Sequence, residues 1–385
     1  MGQDKFHKYP AWSPRFWHGM TFGGWMRLLA ENRFAVSPSR VPMALLLSMI
    51  TPFNSVMGAW QRWRYGRAIS QTAIDPPPLF VIGHWRSGTT LLHELLTLDE
   101  QFGYPTTYQC FAPHHFLVTE RVIARHMGFL LPGKRPMDNM AAGWDKPQED
   151  EFALLTLGVR TPYRRMAFPN RSPADLDYLD MCSDDSQAVE SWRAAMRYFV
   201  QAITWKTKRR LILKSPPHTG RIAELCRLFP GAQFIHIARD PQSIFPSTVR
   251  LWKALDDVQG CQRPRHRELE EYVFTCLERM YGGFFAQRDA LPEGRIAYVR
   301  YEDLIGDPVG QIERLYGELA LGDYAAIGPQ IARQMEERSG YRANTHRLEP
   351  ATAAEIARRW RAYYEAFGYE LPRPADGGSV LPLSS

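Results

Sequence analysis

Three stretches of this chain carry residue types and spacings suited to chemistry on an anionic ligand. The first is GHWRSGTTLL, residues 83–92, directly after the apolar run PPLFVI. Gly83, Gly88 and two threonines nearly spell a phosphate-binding turn between a strand and a helix. Such a turn points backbone N–H groups and a helix dipole at an anion. The ATP-binding version has lysine where Thr89 stands. Here the cation is Arg86, three residues earlier, with Ser87, Thr89 and Thr90 supplying hydroxyls. The second stretch is HIARDPQSIFPSTVRLW. Arg239 ends an apolar run there, and Ser247 follows eight residues later, about two helical turns along. A guanidinium fork and a hydroxyl so placed can share one phosphate. The third, RLILKSPP, puts Lys214 at the C-terminal end of a strand, where parallel sheets form their sites.

Proton-transfer groups come from two further places. KPQEDEFALL packs Glu149, Asp150 and Glu151 at a predicted helix start, where acidic charge also complements the macrodipole. APHHFL supplies His114 and His115 after a proline, and an imidazole is poised near neutral pH. Packed or surface roles are equally open to either histidine.

Elements that could hold these groups repeat along the chain as short apolar run, turn, amphipathic helix. LFVIG leads into GTTLLHELLTL, RLILKSPP into HTGRIAELCRLF, AQFIHIARDP into QSIFPSTVRLWKAL, and RIAYVRYEDL into PVGQIERLYGEL. Four such units predict an α/β fold, a P-loop-like parallel sheet with helices on both faces. The runs LFVI and FIHIA are almost continuously apolar, as doubly buried strands require. Residues 100–208 form a largely helical insertion after the first unit. Residues 1–75 form a helical N-terminal segment, 76–370 the main domain, and 371–385 a loose tail. In RYEDL, Glu302 or Asp303 is expected to cap the turn that follows the strand.

Composition narrows the function. At 385 residues, 45% hydrophobic and 23% charged, the chain is globular. A net charge of +6 without long basic runs suits an anionic ligand or a membrane surface, and no nucleic-acid partner is expected. Five cysteines without a C-x-x-C pair predict a reducing, cytoplasmic setting, and no metal is expected. MGQDKFHKYPAW lacks the basic-then-apolar opening of a secretory signal. VPMALLLSMITPFNSVMGAW, residues 41–60, carries no charge but is diluted by Pro42, Pro52 and Asn54. It reads as a broken helix pair lying on the domain or dipping into a membrane interface, which gives residues 1–75 a peripheral membrane contact.

Taken together, Arg86-Ser-Gly-Thr-Thr and the Arg239/Ser247 pair resemble the sulfotransferases that use 3′-phosphoadenosine 5′-phosphosulfate, in their bacterial and tyrosylprotein-type branch. The resemblance runs from about Leu79 to Asn344. It implies that Arg86, Ser87, Gly88, Thr89 and Thr90 hold the 5′-phosphosulfate, and that Arg239 and Ser247 hold the ribose 3′-phosphate. It also implies that Lys214 serves the bridging oxygen and that a late basic loop, with Arg342 as candidate, closes over the nucleotide. The donor motifs carry no acceptor information; aromatic richness in residues 1–75 and in the insertion predicts a small or lipid-like hydroxyl acceptor, with a sugar or peptide hydroxyl also open. The tyrosylprotein branch has a glutamate soon after the first helix, whereas FGYPTTYQCF has no acid. The base is therefore sought elsewhere, with Glu149 the first candidate and His115 the second. Two other readings stand beside this one: a P-loop ATP-dependent kinase, which Thr89 in the lysine position disfavours, and a non-catalytic nucleotide-binding scaffold.

Overall fold

The computed structural model describes residues 13–126, 143–338 and 348–372. Two helices, α1 (Phe22–Glu31) and α2 (Val41–Ser70), precede strand β1 (Leu79–Ile82) and helix α3 (Thr89–Leu96). Strand β2 (Phe102–Gly103) follows, then helices α4 (Thr107–Phe111), α5 (Phe116–His126), α6 (Asp150–Leu157) and α7 (Ser186–Thr207). Next come β3 (Arg210–Lys214), α8 (Ile222–Leu228), β4 (Gln233–Ala238), α9 (Pro241–Gln259), α10 (Leu269–Arg288) and β5 (Ile296–Arg300). Helices α11 (Tyr301–Gly306), α12 (Pro308–Leu319), α13 (Gly328–Glu337), α14 (Pro350–Arg359) and α15 (Arg361–Phe367) complete the described chain.

The strands form one parallel sheet in the order β2-β3-β1-β4-β5. All four residues of β1 are buried because the strand is central and both faces are covered. Alternation divides the strand residues between two cores. Leu79, Val81, Ile235 and Ile237 face α3 and α12, while Phe80, Ile82, Leu213 and Phe234 face the helices of the other layer. Register then fixes where the functional ends fall. Lys214 lies level with Val81, and His236 with Ile82, so the turns after β1, β3 and β4 open along one edge of the sheet.

The sheet has a fifth strand beyond the four units read from the sequence, β2, within the largely helical insertion. Two residues at a sheet edge leave no periodic signal to read. Residues 41–60 are not a broken helix pair but part of one helix running to Ser70. Pro42 sits in its first turn, where no hydrogen bond is lost. Pro52 is carried through because neighbours on either side are anchored: the Trp25 indole donates to Ser48 Oγ at 2.9 Å, and Asn54 donates to the Met20 carbonyl at 2.8 Å.

Among the described residues, five histidines are shifted by burial. Burial lowers His18, His114 and His115 to about 4, and His84 and His236 to about 3. Each is neutral when folded and takes up a proton near its ordinary value of 6.5 when unfolded. Stability is therefore lost as pH falls below about 6.5, by up to about 1.4 kcal/mol per pH unit for each histidine. Urea unfolding at pH 7, 6 and 5 checks this: the midpoint should fall at each step, and His115→Gln should flatten the decline.

Candidate active site

The turn after β1 is built for close approach. Gly83 has φ +145° and Gly88 φ +107°, and a Cβ on either would lie 2.4 Å from a neighbour, the Ile237 carbonyl or the Tyr301 ring. Gly88 occupies the N-cap of α3 and has no side chain to satisfy the helix's first N–H groups, which are left for an anion. Arg86 lies between them at φ +68°, a left-handed conformation costing a non-glycine residue roughly 1–2 kcal/mol.

Two contacts from beyond β4 hold Arg86 there. Its Nε donates to Ser247 Oγ at 2.9 Å, and Arg239 donates to the Arg86 carbonyl at 3.0 Å. Arg239 also stacks 4.2 Å above the Tyr301 ring, and Tyr363 bonds to its backbone on both sides. The structure thus brings Arg86, Arg239 and Ser247 into one cluster beside the Gly88–Thr90 turn. Glu302 does not cap its own turn, since the cap of α11 has no side-chain bond. Instead it accepts from the Asp240 N–H and the Tyr369 hydroxyl, which ties the start of α9 to the segment that follows α15.

Opposite the turn stands a second cluster. Lys214 Nζ lies 2.7 Å from Glu149 Oε1 and 3.5 Å from Thr90 Oγ1. The Tyr163 hydroxyl donates to Glu149 Oε2 at 2.6 Å, and the Trp85 indole donates to that hydroxyl at 2.7 Å. Residues 85 and 90 of the same turn therefore both connect to Glu149, one through Tyr163 and the other through Lys214. Burial, reinforced by the Glu149 charge, raises the Tyr163 hydroxyl well above its ordinary value, so it stays a donor. Lys214 is almost fully buried and Glu149 only partly, so the carboxylate marks the open side of the pair.

The two acids that follow Glu149 turn inward. Asp150 meets His218 at 2.6 Å, and Glu151 forms a two-pronged pair with Arg221 at 2.6 and 3.0 Å, all with side chains at 0% exposure. Burial pushes Asp150 up, but the His218 charge and hydrogen bond outweigh it and hold the carboxyl below its usual value. The histidines go elsewhere. His115 is buried between Thr119 Oγ1 at 2.9 Å and Asn54 Oδ1 at 3.1 Å, and His114 Nε2 lies 3.2 Å from the Thr156 carbonyl. Their partners belong to α2, α5 and α6, so the structure does not join either to Lys214. Arg342 falls outside the described residues. Sequence reading missed Tyr163 and Trp85; the latter lay inside the quoted turn, but nothing in its spacing linked it to residue 163.

The chain matches the family model described as "Sulfotransferase family" over residues 77–324. It belongs to the sulfotransferase family. Relatives include the omega-hydroxy-beta-dihydromenaquinone-9 sulfotransferases Stf3 of Mycobacterium bovis and Mycobacterium tuberculosis. Both are 40% identical over 373 residues, covering 96% of this chain and 96% of theirs. Among solved structures, sulfotransferase STF9 from Mycobacterium avium shares the fold with a TM-score of 0.64 at 18% identity, over 92% of this chain and 98% of its own. STF1 from Mycobacterium tuberculosis does so with a TM-score of 0.61 at 17% identity, over 91% and 94%. In this sulfotransferase the donor is 3′-phosphoadenosine 5′-phosphosulfate, and the kinase and scaffold readings fall away.

The inward pairs make a stability prediction. His218→Ala leaves Asp150 buried without its partner and should cost about 3–5 kcal/mol. Denaturant unfolding at pH 7 measures it; a loss under about 1 kcal/mol would mean that the pair does not hold this layer in place.

Proposed function

We propose that Glu149 is the general base and Lys214 the cation for the leaving oxygen in sulfuryl transfer to a lipid-like hydroxyl. The observation that carries this is the 2.7 Å Glu149–Lys214 pair, standing beside Thr90 at the mouth of the anion turn. Glu149 takes the acceptor's hydroxyl proton as the acceptor oxygen forms its bond to sulfur. The bond between sulfur and the bridging oxygen breaks in line, and the electron pair leaves with the 3′,5′-bisphosphate. Positioning and charge stabilisation carry such a transfer, as in phosphoryl transfer. Lys214 faces both the base and the turn, so one ammonium serves the carboxylate at rest and the developing phosphate charge during reaction. Tyr163 and Trp85 fix the orientation of the carboxylate.

Within this reading, Arg86 and the turn Ser87–Gly88–Thr89–Thr90 hold the 5′-phosphosulfate, and Arg239 with Ser247 holds the 3′-phosphate. The cross-bonding of Arg86 to both supports this, because the two phosphates belong to one nucleotide. Residues 76–370 form the catalytic unit, with 100–208 on the acceptor side. A lipid-like acceptor is supported by the relatives named for a hydroxylated menaquinone derivative. The five unpaired cysteines support a cytoplasmic setting, and residues 1–75 provide the peripheral membrane contact.

Glu149→Gln should lower kcat by about 10²–10⁴-fold while leaving stabilisation by the 3′,5′-bisphosphate product intact. A sulfation assay on a long-chain alcohol reads the first and thermal unfolding the second; full turnover in the variant would remove Glu149 from the role. Arg239→Ala combined with Ser247→Ala should abolish the product's stabilisation, about 2.7 kcal/mol at a hundredfold excess over Kd for the unaltered protein. Retained stabilisation would show that the 3′-phosphate binds elsewhere.

A further inference from the structure

Helix α2 is built inside out. Its buried positions are Ala44, Leu47, Thr51, Asn54, Gly58, Gln61 and Ile69, a run spaced at threes and fours over most of its length and largely polar or small. These polar groups are what fasten it. Gln61 donates to the Tyr198 hydroxyl at 2.8 Å and accepts from the Leu117 N–H at 2.8 Å. Asn54 donates to the Met20 carbonyl and bonds to His115, while Ser48 and Ser55 accept from Trp25 and from the Phe22 N–H. The outward face is the apolar one. Leu45, Met49, Phe53, Val56, Trp60 and Trp63 follow each other at intervals of four, four, three, four and three residues, and every one is exposed, Met49 by 76% and Trp63 by 81%. One helix face therefore presents an unbroken apolar stripe about 27 Å long.

We infer that this stripe seats the enzyme on an anionic lipid bilayer, with α2 lying in the plane of the interface. Charge selects the occupant. From Asn32 to Ile74 the chain has no acidic residue and five arginines, Arg33, Arg40, Arg62, Arg64 and Arg67. They flank the stripe at both ends, as an interfacial helix with an apolar body and basic ends requires. Two copies of the chain meeting through the same stripe would instead bring arginines against arginines, in either relative direction, with no acid along the helix to offset them. Length and hydropathy would allow α2 to cross a membrane. Its inner face forbids that, because Asn54 and Gln61 are committed to protein partners and would have to be pulled away from them.

The position of the stripe gives it a purpose. Asn54 of α2 holds His115, whose neighbour His114 bonds to Thr156 in the last turn of α6, and Glu149 stands just before the other end of α6. The docked helix is thus two hydrogen-bonded steps from the helix that carries the base. This purpose rests on the lipid-acceptor reading; the docking does not.

Co-sedimentation of the full-length protein with vesicles tests it, in the absence of donor and acceptor. The protein should pellet with phosphatidylcholine vesicles containing phosphatidylglycerol, and less with phosphatidylcholine alone. Changing Leu45, Met49, Val56 and Trp63 together to Gln should weaken binding roughly tenfold or more. Arg62→Gln, Arg64→Gln and Arg67→Gln together should remove the preference for anionic lipid. The 3′,5′-bisphosphate should still raise the Tm of both variants, which shows that they are folded. Failure of the unaltered protein to pellet, or equal pelleting of the four-residue variant, overturns the inference. So does a concentration-dependent dimer that the same variant abolishes, since the stripe would then be a protein interface. A protein that docks but sulfates no long-chain alcohol would leave docking standing and overturn the acceptor reading alone.

Discussion

The site depends on a three-rung ladder between two short segments far apart in sequence. Glu149, Asp150 and Glu151 meet Lys214, His218 and Arg221 in the same order. The acids are consecutive, whereas the bases are spaced by four and three because they follow β3 through a tight turn that folds them onto one side. The two inner rungs are fully buried. Their mutual attraction offsets a desolvation cost that either partner alone could not bear, so they specify geometry more than they add stability. What they specify is the start of α6 against the end of β3. That placement leaves the outermost rung, Glu149 with Lys214, at the open edge of the sheet.

A second constraint explains why the cation is absent from the loop position that a triphosphate-binding turn would use. Lys214 comes from the adjacent strand, level with Val81, and so approaches the turn from the side where Glu149 stands. A lysine at position 89 would instead start from the first turn of α3. Moving the ammonium to β3 lets one group touch both Glu149 and the turn. Arg86, braced by Arg239 and Ser247, then supplies charge within the loop itself. The left-handed backbone at Arg86 is tolerated because its side chain and its carbonyl are both held from α9's side of the sheet.

Much of this was legible in the sequence wherever the relevant residues are neighbours along the chain. Apolar runs ending in small or basic residues identify β1, β3, β4 and β5, and the turn after β1 declares itself by its two glycines. Arg239, in the turn after β4, and Ser247, in α9, lie close along the chain, so their spacing carries meaning. The acids 149–151 were equally visible, but their separate fates were not, because each is decided by a partner 65 to 70 residues away. His115 shows the same limit from the other direction. Its residue type suits proton transfer, yet Asn54 and Thr119 enclose it and burial lowers it to about 4, which makes it a packing group. Tyr163 carried no motif at all; only the fold places it between Trp85 and Glu149.

Helix α2 was misread for a more instructive reason. Prolines and polar residues within an apolar run ordinarily mark a break, on the assumption that the apolar side faces the protein. Here polar residues such as Asn54 and Gln61 make the protein contacts, so the polar part of that dilution is the helix's inner face, while Pro42 and Pro52 lie on the exposed side. Thr51, Asn54, Gly58 and Gln61 recur at helical intervals, and so do the apolar residues between them. Periodicity was therefore present throughout, but periodicity does not say which face is inward. That assignment comes from the binding partners of the polar groups, and in this molecule each polar group turned inward leaves an apolar one facing out.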